Sequence, residues 1–262
     1  MLRVISNAKL PGARYFTSVI GSVHKSQLAG LSDSLIRVNE NDEVLGPIAK
    51  LDSHLADAIK GGITHRAFSV FLFSHETCSL LIQKRADSKI VFPRQWANTC
   101  CSHPLYEESE MENTRGDHIG IKRSASKRLE AELGISNVDP ASLVFKEKIL
   151  YRQISPGDVF GESECDYILV GRESENFILN ANKNEVEESA WIRPGPSRGS
   201  RTLNLRKFME EQTKLGFSPT PWFDLMLREP KCLESWWEKM IIDPDFFMSE
   251  ETSDAGKIRN FL

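Results

Sequence analysis

The sequence predicts a layered α/β or α+β fold, with helices laid on a mostly central sheet. β-rich apolar runs recur along the chain, helix-period segments lie between and after them, and the composition supplies a full core. With about 150 residues per domain, 262 residues make one large or two small domains. Hydrophobic residues are 40% and charged residues 27%, a balance that buries a core without disulfide staples.

Taken in order, residues 35–38 and 43–46 are short strand patterns around the polar turn 39–42, a hairpin signature. Residues 67–73 and 79–84 are apolar and β-rich, separated by His75, Glu76 and Thr77, and form a second strand pair. The acidic stretch 107–112 reads as a solvated loop. Residues 119–134 form the clearest helix. Ile121, Ala125 and Leu129 recur at i, i+4 and i+8 on one face, Arg128 and Glu132 are i, i+4 neighbours on another, and Gly134 ends it. Residues 143–151, 166–170 and 189–192 are further strands, and 194–200 is a Pro/Gly/Ser loop. Helices over 203–214 and 222–227 follow, then the aromatic pair Trp236 and Trp237. The chain has no internal repeat.

The formal charge is -4, from 33 basic and 37 acidic residues. No basic stripe offsets it, so nucleic acid has no electrostatic footprint here. A small anionic ligand needs only a local cationic pocket. Cys78, Cys100, Cys101, Cys165 and Cys232 are odd in number and irregularly spaced, which argues against a secreted disulfide framework and fits a reducing compartment. The longest apolar run, 67–73, is broken by Ser69 and is far short of the roughly 18 residues of a membrane span.

Residues 1–32 carry Arg3, Lys9, Arg14 and Lys25 with no Asp or Glu, the composition of a mitochondrial transit peptide or of a disordered tail. Both readings set 1–33 apart as a leader, before a main domain over 34–245 and a C-terminal tail over 246–262. A mitochondrial or cytosolic location is expected. The terminal Asn260, Phe261 and Leu262 do not match a peroxisomal Ser-Lys-Leu signal.

The chemistry-bearing residues begin with His54, His65 and His103. Far downstream, Glu162 and Glu164 open a strand pattern, where alternate side chains point the same way. Imidazoles with carboxylates make a ligand set for a divalent metal. Zinc, manganese and magnesium all remain open.

The surrounding residues sharpen this. The block 65–73, the run Gln83-Lys84-Arg85-Ala86-Asp87-Ser88-Lys89 and the run Asn98-Thr99-Cys100-Cys101-Ser102-His103-Pro104 closely resemble the type I isopentenyl-diphosphate isomerases. Residues 128–134, 161–169 and 220–223 continue the match in the family's order and at about its spacing, so the resemblance covers roughly 35–240. It implies a Nudix-type α/β/α layered fold, with a central mixed sheet and flanking helices. It also implies interconversion of isopentenyl and dimethylallyl diphosphate in isoprenoid biosynthesis.

By position, the family's catalytic cysteine two residues before His-Pro matches Cys101. Its three-histidine, two-glutamate metal site matches His54, His65, His103, Glu162 and Glu164. Glu164 also matches its acid/base glutamate, and Tyr151 an active-site tyrosine. Glu132 matches its ligand to a magnesium ion that bridges to the substrate diphosphate. Arg85, Lys89, Arg128 and Lys50 match its diphosphate-binding cations, and Trp222 an aromatic over the hydrocarbon end. Ser102 is grouped with the substrate-binding set. The implied partner is a small prenyl diphosphate, and a monomeric enzyme is expected.

These residue types suit the reaction. An unactivated alkene is a poor base, so a proton must be delivered at one carbon and removed at another. Glu164 with Tyr151 serves one face and Cys101 the other. The resemblance departs in two places. Hydrolytic relatives of the fold carry two more carboxylates in the helix where this chain has Arg128 and Ala131, which makes a Nudix diphosphohydrolase the alternative reading. The family also usually has Pro-Gly before the cysteine loop, whereas Pro93 is followed by Arg94, and a non-glycine residue takes positive φ at a cost.

Overall fold

The computed structural model describes residues 25–113, 116–177, 179–249 and 258–262. Residues 1–24, on which most of the leader reading rests, lie outside them. The described chain opens with helix α1 (Lys25–Ala29), a short turn (Gly30–Ser32) and the hairpin β1 (Ser34–Val38) and β2 (Val44–Ala49). Helices α2 (Lys50–His54) and α3 (Ala56–Lys60) lead into β3 (Thr64–Ser74). Next come β4 (Leu80–Arg85), β5 (Trp96–Ala97), β6 (Cys100–Ser102), α4 (Glu108–Met111) and α5 (Ile119–Leu133). β7 (Val144–Ile154), β8 (Gly161–Glu173) and β9 (Val186–Ile192) follow. The chain finishes with α6 (Leu203–Lys214), α7 (Pro221–Arg228), α8 (Ser235–Ile242), α9 (Pro244–Ser249) and β10 (Ile258–Asn260).

The strands form one mixed sheet ordered β10-β7-β8-β3-β1-β2, with β4 and β6 also paired to β3, and β5 and β9 to β4. β3 and β8 run parallel from His65 opposite Glu164 to Ser74 opposite Glu173. β7 runs antiparallel to β8 and sets Tyr151 opposite Glu164. Because side chains alternate, one face of β3 carries His65, Ser69, Phe71 and Phe73 and the other carries Phe68, Val70 and Leu72. Both faces are covered. Ile121, Ala125, Leu129 and Leu133 of α5 share a core with Phe68, Val70 and Leu72. On the opposite face, Trp222 and Phe223 of α7 and Trp236, Trp237 and Met240 of α8 share a core with Phe71 and Phe73. A strand buried on both sides is necessarily a near-continuous apolar run, which is why 67–73 stands out in the sequence. The layered α/β expectation is met.

Helix α5 stops where expected. Gly134 has φ of 71°, and its N–H donates to the Glu130 carbonyl at 2.9 Å. A Cβ built there falls 2.8 Å from the Asn180 carbonyl oxygen. Gly134→Ala should therefore lower stability by about 1–3 kcal/mol, measurable as a shift of the urea midpoint at unchanged slope.

Three expectations need correction. Residues 107–112 are not a solvated loop: α4 lies there, and Glu110 is only 3% exposed. Its carboxylate accepts from the Leu105 N–H and from Lys127 Nζ, both at 2.7 Å, so burial is compensated by a charge and a hydrogen bond. Gly120 of α5 permits the close approach, since a Cβ there would meet the Glu110 carbonyl oxygen at 2.4 Å. The leader boundary at 33 falls too late, because 25–33 are part of the fold and Gln27 bonds Glu185 at 2.9 Å. Residues 246–262 are not simply a tail either. Phe247 is buried in the core, and β10 adds to β7 in parallel.

Candidate active site

Three segments far apart in sequence bring the histidines together. His54 ends α2, His65 sits near the start of β3, and His103 follows β6. Their ring centroids lie 4.8–4.9 Å apart. Glu162 joins them, and one donor atom from each of the four lies within 4.8 Å of every other. Glu164 reaches the same point from two residues further along β8, on the same face, 2.8 Å from His103 Nε2 and 3.6 Å from His65 Nε2.

This donor set fits a divalent metal. His54 Nδ1 lies 2.6 Å from the Lys50 carbonyl. A carbonyl only accepts, so Nδ1 carries the hydrogen and Nε2 is left as the ligand atom, 3.1 Å from Glu162 Oε2. His65 is 0% exposed, and its Nε2, like Glu162 Oε2, is buried without a hydrogen-bond partner. Burial pushes the His65 and His103 imidazoles below their ordinary range, and the neighbouring histidines push the same way. Neutral imidazoles facing carboxylate oxygens are the arrangement a cation completes.

Beside this cluster is a cleft. Lys50, Arg85, Lys89, Cys101, Ser102, His103, Arg128, Glu162, Glu164 and Trp222 all line it. Tyr151 does not line it but acts behind Glu164, donating its hydroxyl to Oε2. Burial alone would raise the Glu164 carboxyl; the nearby His65 imidazole and the hydrogen bond from Tyr151 outweigh it and hold the group below its ordinary range.

The two adjacent cysteines face opposite ways because they are neighbours on a strand. Cys101 pairs with Ser69 in the sheet and faces the cleft, with Arg85 Nη1 3.6 Å from its sulfur. Burial, partly opposed by Arg85, pushes its thiol up to about 12. Cys100 belongs to the α5 side, where its sulfur lies 3.6 Å from Glu132 Oε2.

The cations form one wall. Arg85 is locked by the carbonyls of Phe92 (3.1 Å) and Val91 (2.8 Å) and lies 5.4 Å from the centre of the Trp222 ring. Burial, with repulsion from Lys89 and Arg128, lowers Lys50 to about 8. Glu132 differs from the other expected residues. It is 2% exposed and does not line the cleft; its oxygens receive Arg128 at 2.6 Å and Gln83 at 3.1 Å. Burial opposes its charge, yet Arg128, Lys89 and Gln83 hold its carboxyl at about 2.

Some participants were missed. Asn98 receives the Trp222 indole N–H at 2.9 Å and donates to the carbonyls of Val70 and Cys100, so it fixes both the aromatic and the cysteine strand. It opens the Asn98–Pro104 motif but had no role assigned. Asp166 shares the β8 face with Glu162 and Glu164 and accepts from Ser69 at 2.8 Å. Burial, then repulsion from Glu164, pushes its carboxyl well above the usual range. The alternation Glu162, Glu164, Asp166 was a readable signal. Arg94 does take the strained conformation, with φ of 59°, and its guanidinium rests 5.0 Å from the Phe217 ring.

No family model matches the chain. Curated relatives do. It is 38% identical over 218 residues to isopentenyl-diphosphate Delta-isomerase 1 of Mesocricetus auratus, covering 82% of this chain and 89% of that protein. It is 37% identical over 230 residues to isopentenyl-diphosphate delta-isomerase of Gibberella zeae, covering 87% and 84%. Among solved structures, DR0079 of Deinococcus radiodurans superposes over 77% of this chain and 99% of its own, with 19% identity and a TM-score of 0.46. Identity at this level, over more than four fifths of each chain, shows that the chain belongs to the isopentenyl-diphosphate delta-isomerase family.

Proposed function

We propose that this enzyme interconverts isopentenyl and dimethylallyl diphosphate in isoprenoid biosynthesis, moving a double bond between C3–C4 and C2–C3. The observation that carries the reading is one cleft lined together by the Cys101 thiol, the Glu164 carboxylate and the cations Lys50, Arg85, Lys89 and Arg128. Isomerisation needs one proton delivered to the alkene and one removed from the neighbouring carbon, and reversal exchanges the two roles. Tyr151 supports Glu164 from behind by its hydrogen bond. Trp222 offers a π face to positive charge developing at C3.

Lys50, Arg85, Lys89 and Arg128 are the anchors for the diphosphate, which does not react, so its binding energy orients the alkene. A divalent ion, zinc, manganese or magnesium, held by His54, His65, His103, Glu162 and Glu164 would polarise the Glu164 carboxyl and fix its direction. Glu132, expected as the magnesium ligand, does not fit that role here: it lies outside the cleft lining with its oxygens bonded to Arg128 and Gln83, and it acts instead by holding Arg128.

Incubation with isopentenyl diphosphate in deuterated water, with divalent metal present, should place deuterium in the dimethylallyl product. Absence of exchange, with phosphate or monophosphate released instead, would favour the diphosphohydrolase. Lys50 adds a pH dependence. The free enzyme carries this cation below about 8 and loses it above, so kcat/KM should fall several-fold from pH 7 to 9 through KM. Lys50→Arg stays charged throughout and should flatten that limb. An unchanged profile in the arginine variant would reject the assignment.

A further inference from the structure

We propose that Glu185 is a positioning residue for the diphosphate, holding Lys89 and Arg128 against the cleft wall with donors left free for the ligand. The proposal rests on the diphosphate reading above and adds a residue to it. Glu185 immediately precedes β9 and is rigidly placed: its carbonyl accepts from the Ala86 N–H at 3.0 Å, and its own N–H donates to the Asn182 carbonyl at 2.8 Å. Its carboxylate is not part of the cleft lining. Oε2 lies 2.6 Å from Lys89 Nζ and 3.5 Å from Arg128 Nη2, while Oε1 accepts from Gln27 Nε2 at 2.9 Å.

Donor arithmetic shows what this arrangement leaves over. An ammonium has three N–H bonds and a guanidinium five. Lys89 gives one to Glu185, and Arg128 gives one from Nη2 to Glu132, with the Glu185 carboxylate an ion-pair neighbour at 3.5 Å. Arg128 Nε is buried without a partner, although the side chain lines the cleft. Both cations are thus held from behind with unused donors. Long cationic side chains lose substantial rotamer freedom on binding, and fixing them beforehand removes that cost from the ligand. Glu185 also offsets the mutual repulsion of Lys50, Lys89 and Arg128, and it raises the affinity of Lys50 for its proton. The same carboxylate fastens Gln27, which with Leu31 lines the cleft from the N-terminal segment.

A simple electrostatic view gives the opposite expectation, since removing a negative charge beside an anion site should tighten anion binding. The test is therefore two-sided. Inorganic pyrophosphate is titrated calorimetrically into the full-length protein and into Glu185→Gln and Glu185→Asp, with steady-state isomerisation and thermal unfolding measured on each. The expected result for Glu185→Gln is a Kd for pyrophosphate and a KM for substrate each raised about tenfold, equivalent to about 1.4 kcal/mol. Its kcat should stay within about threefold, and Glu185→Asp should recover part of the affinity. Unchanged or tighter pyrophosphate binding by Glu185→Gln would overturn the proposal and leave the diphosphate reading standing, as would a loss confined to kcat or to thermal stability. Failure of the unaltered protein to bind pyrophosphate would instead overturn the diphosphate reading, and this inference with it.

Discussion

Glu164→Gln is expected to lower kcat at least about 10³-fold, within the range by which a positioned acid or base accelerates proton transfer. The amide keeps the shape of the side chain and removes its ability to exchange a proton. Two further consequences follow from its neighbours. His103 Nε2 and His65 Nε2 face Glu164 Oε1 at 2.8 and 3.6 Å, so the variant also removes one negative donor from the histidine cluster. Tyr151 is left bonded to a neutral partner. Measuring bound metal by elemental analysis beside kcat separates these effects. Retained metal with lost turnover identifies proton transfer as the role, and loss of both identifies the carboxylate as a ligand first. More than a tenth of the original turnover in a metal-loaded variant would remove Glu164 from the mechanism.

The second large effect is an asymmetry between adjacent residues. Cys101→Ser should reduce kcat by about 10² to 10⁴, because a serine hydroxyl is a much weaker acid than a thiol and its alkoxide is inaccessible as a base. Cys100→Ser should leave turnover within about threefold of the original. The reason is geometric: Cys101 lines the cleft, while Cys100 lies in the α5-side core with its sulfur near Glu132. The comparison is controlled, since both variants make the same atomic replacement at consecutive positions. Equal losses would show that the strand does not separate the two thiols functionally.

Much of the fold was legible. The 67–73 run is β3, the 119–134 periodicity is α5 with its glycine stop, and the 203–214 helix matches α6 at both ends. These succeed because they depend on period and capping, which are local. The failures share a different cause. Glu110 looks like any surface acid until Lys127 and the Leu105 N–H meet it. Glu185 carries no motif, and it matters only because Lys89 and Arg128 arrive from elsewhere in the chain. Strand β10 is three residues long and is recognisable only beside β7.

The inventory is written in the order of residues: which histidines and carboxylates exist, which cysteine stands two residues before His-Pro, and that Glu162 and Glu164 share a strand face. Which way each group points comes from strand pairing and packing. His65 meets Glu164 because β3 and β8 pair in parallel across 99 residues of chain, and Cys101 faces the cleft because β6 pairs with β3 in one register rather than the next. A slip of one residue would turn every side chain of a strand to the other face. Register is set by long-range pairing and by burial of both faces of β3, so the donors could be named from their order along the chain, while their convergence followed from packing.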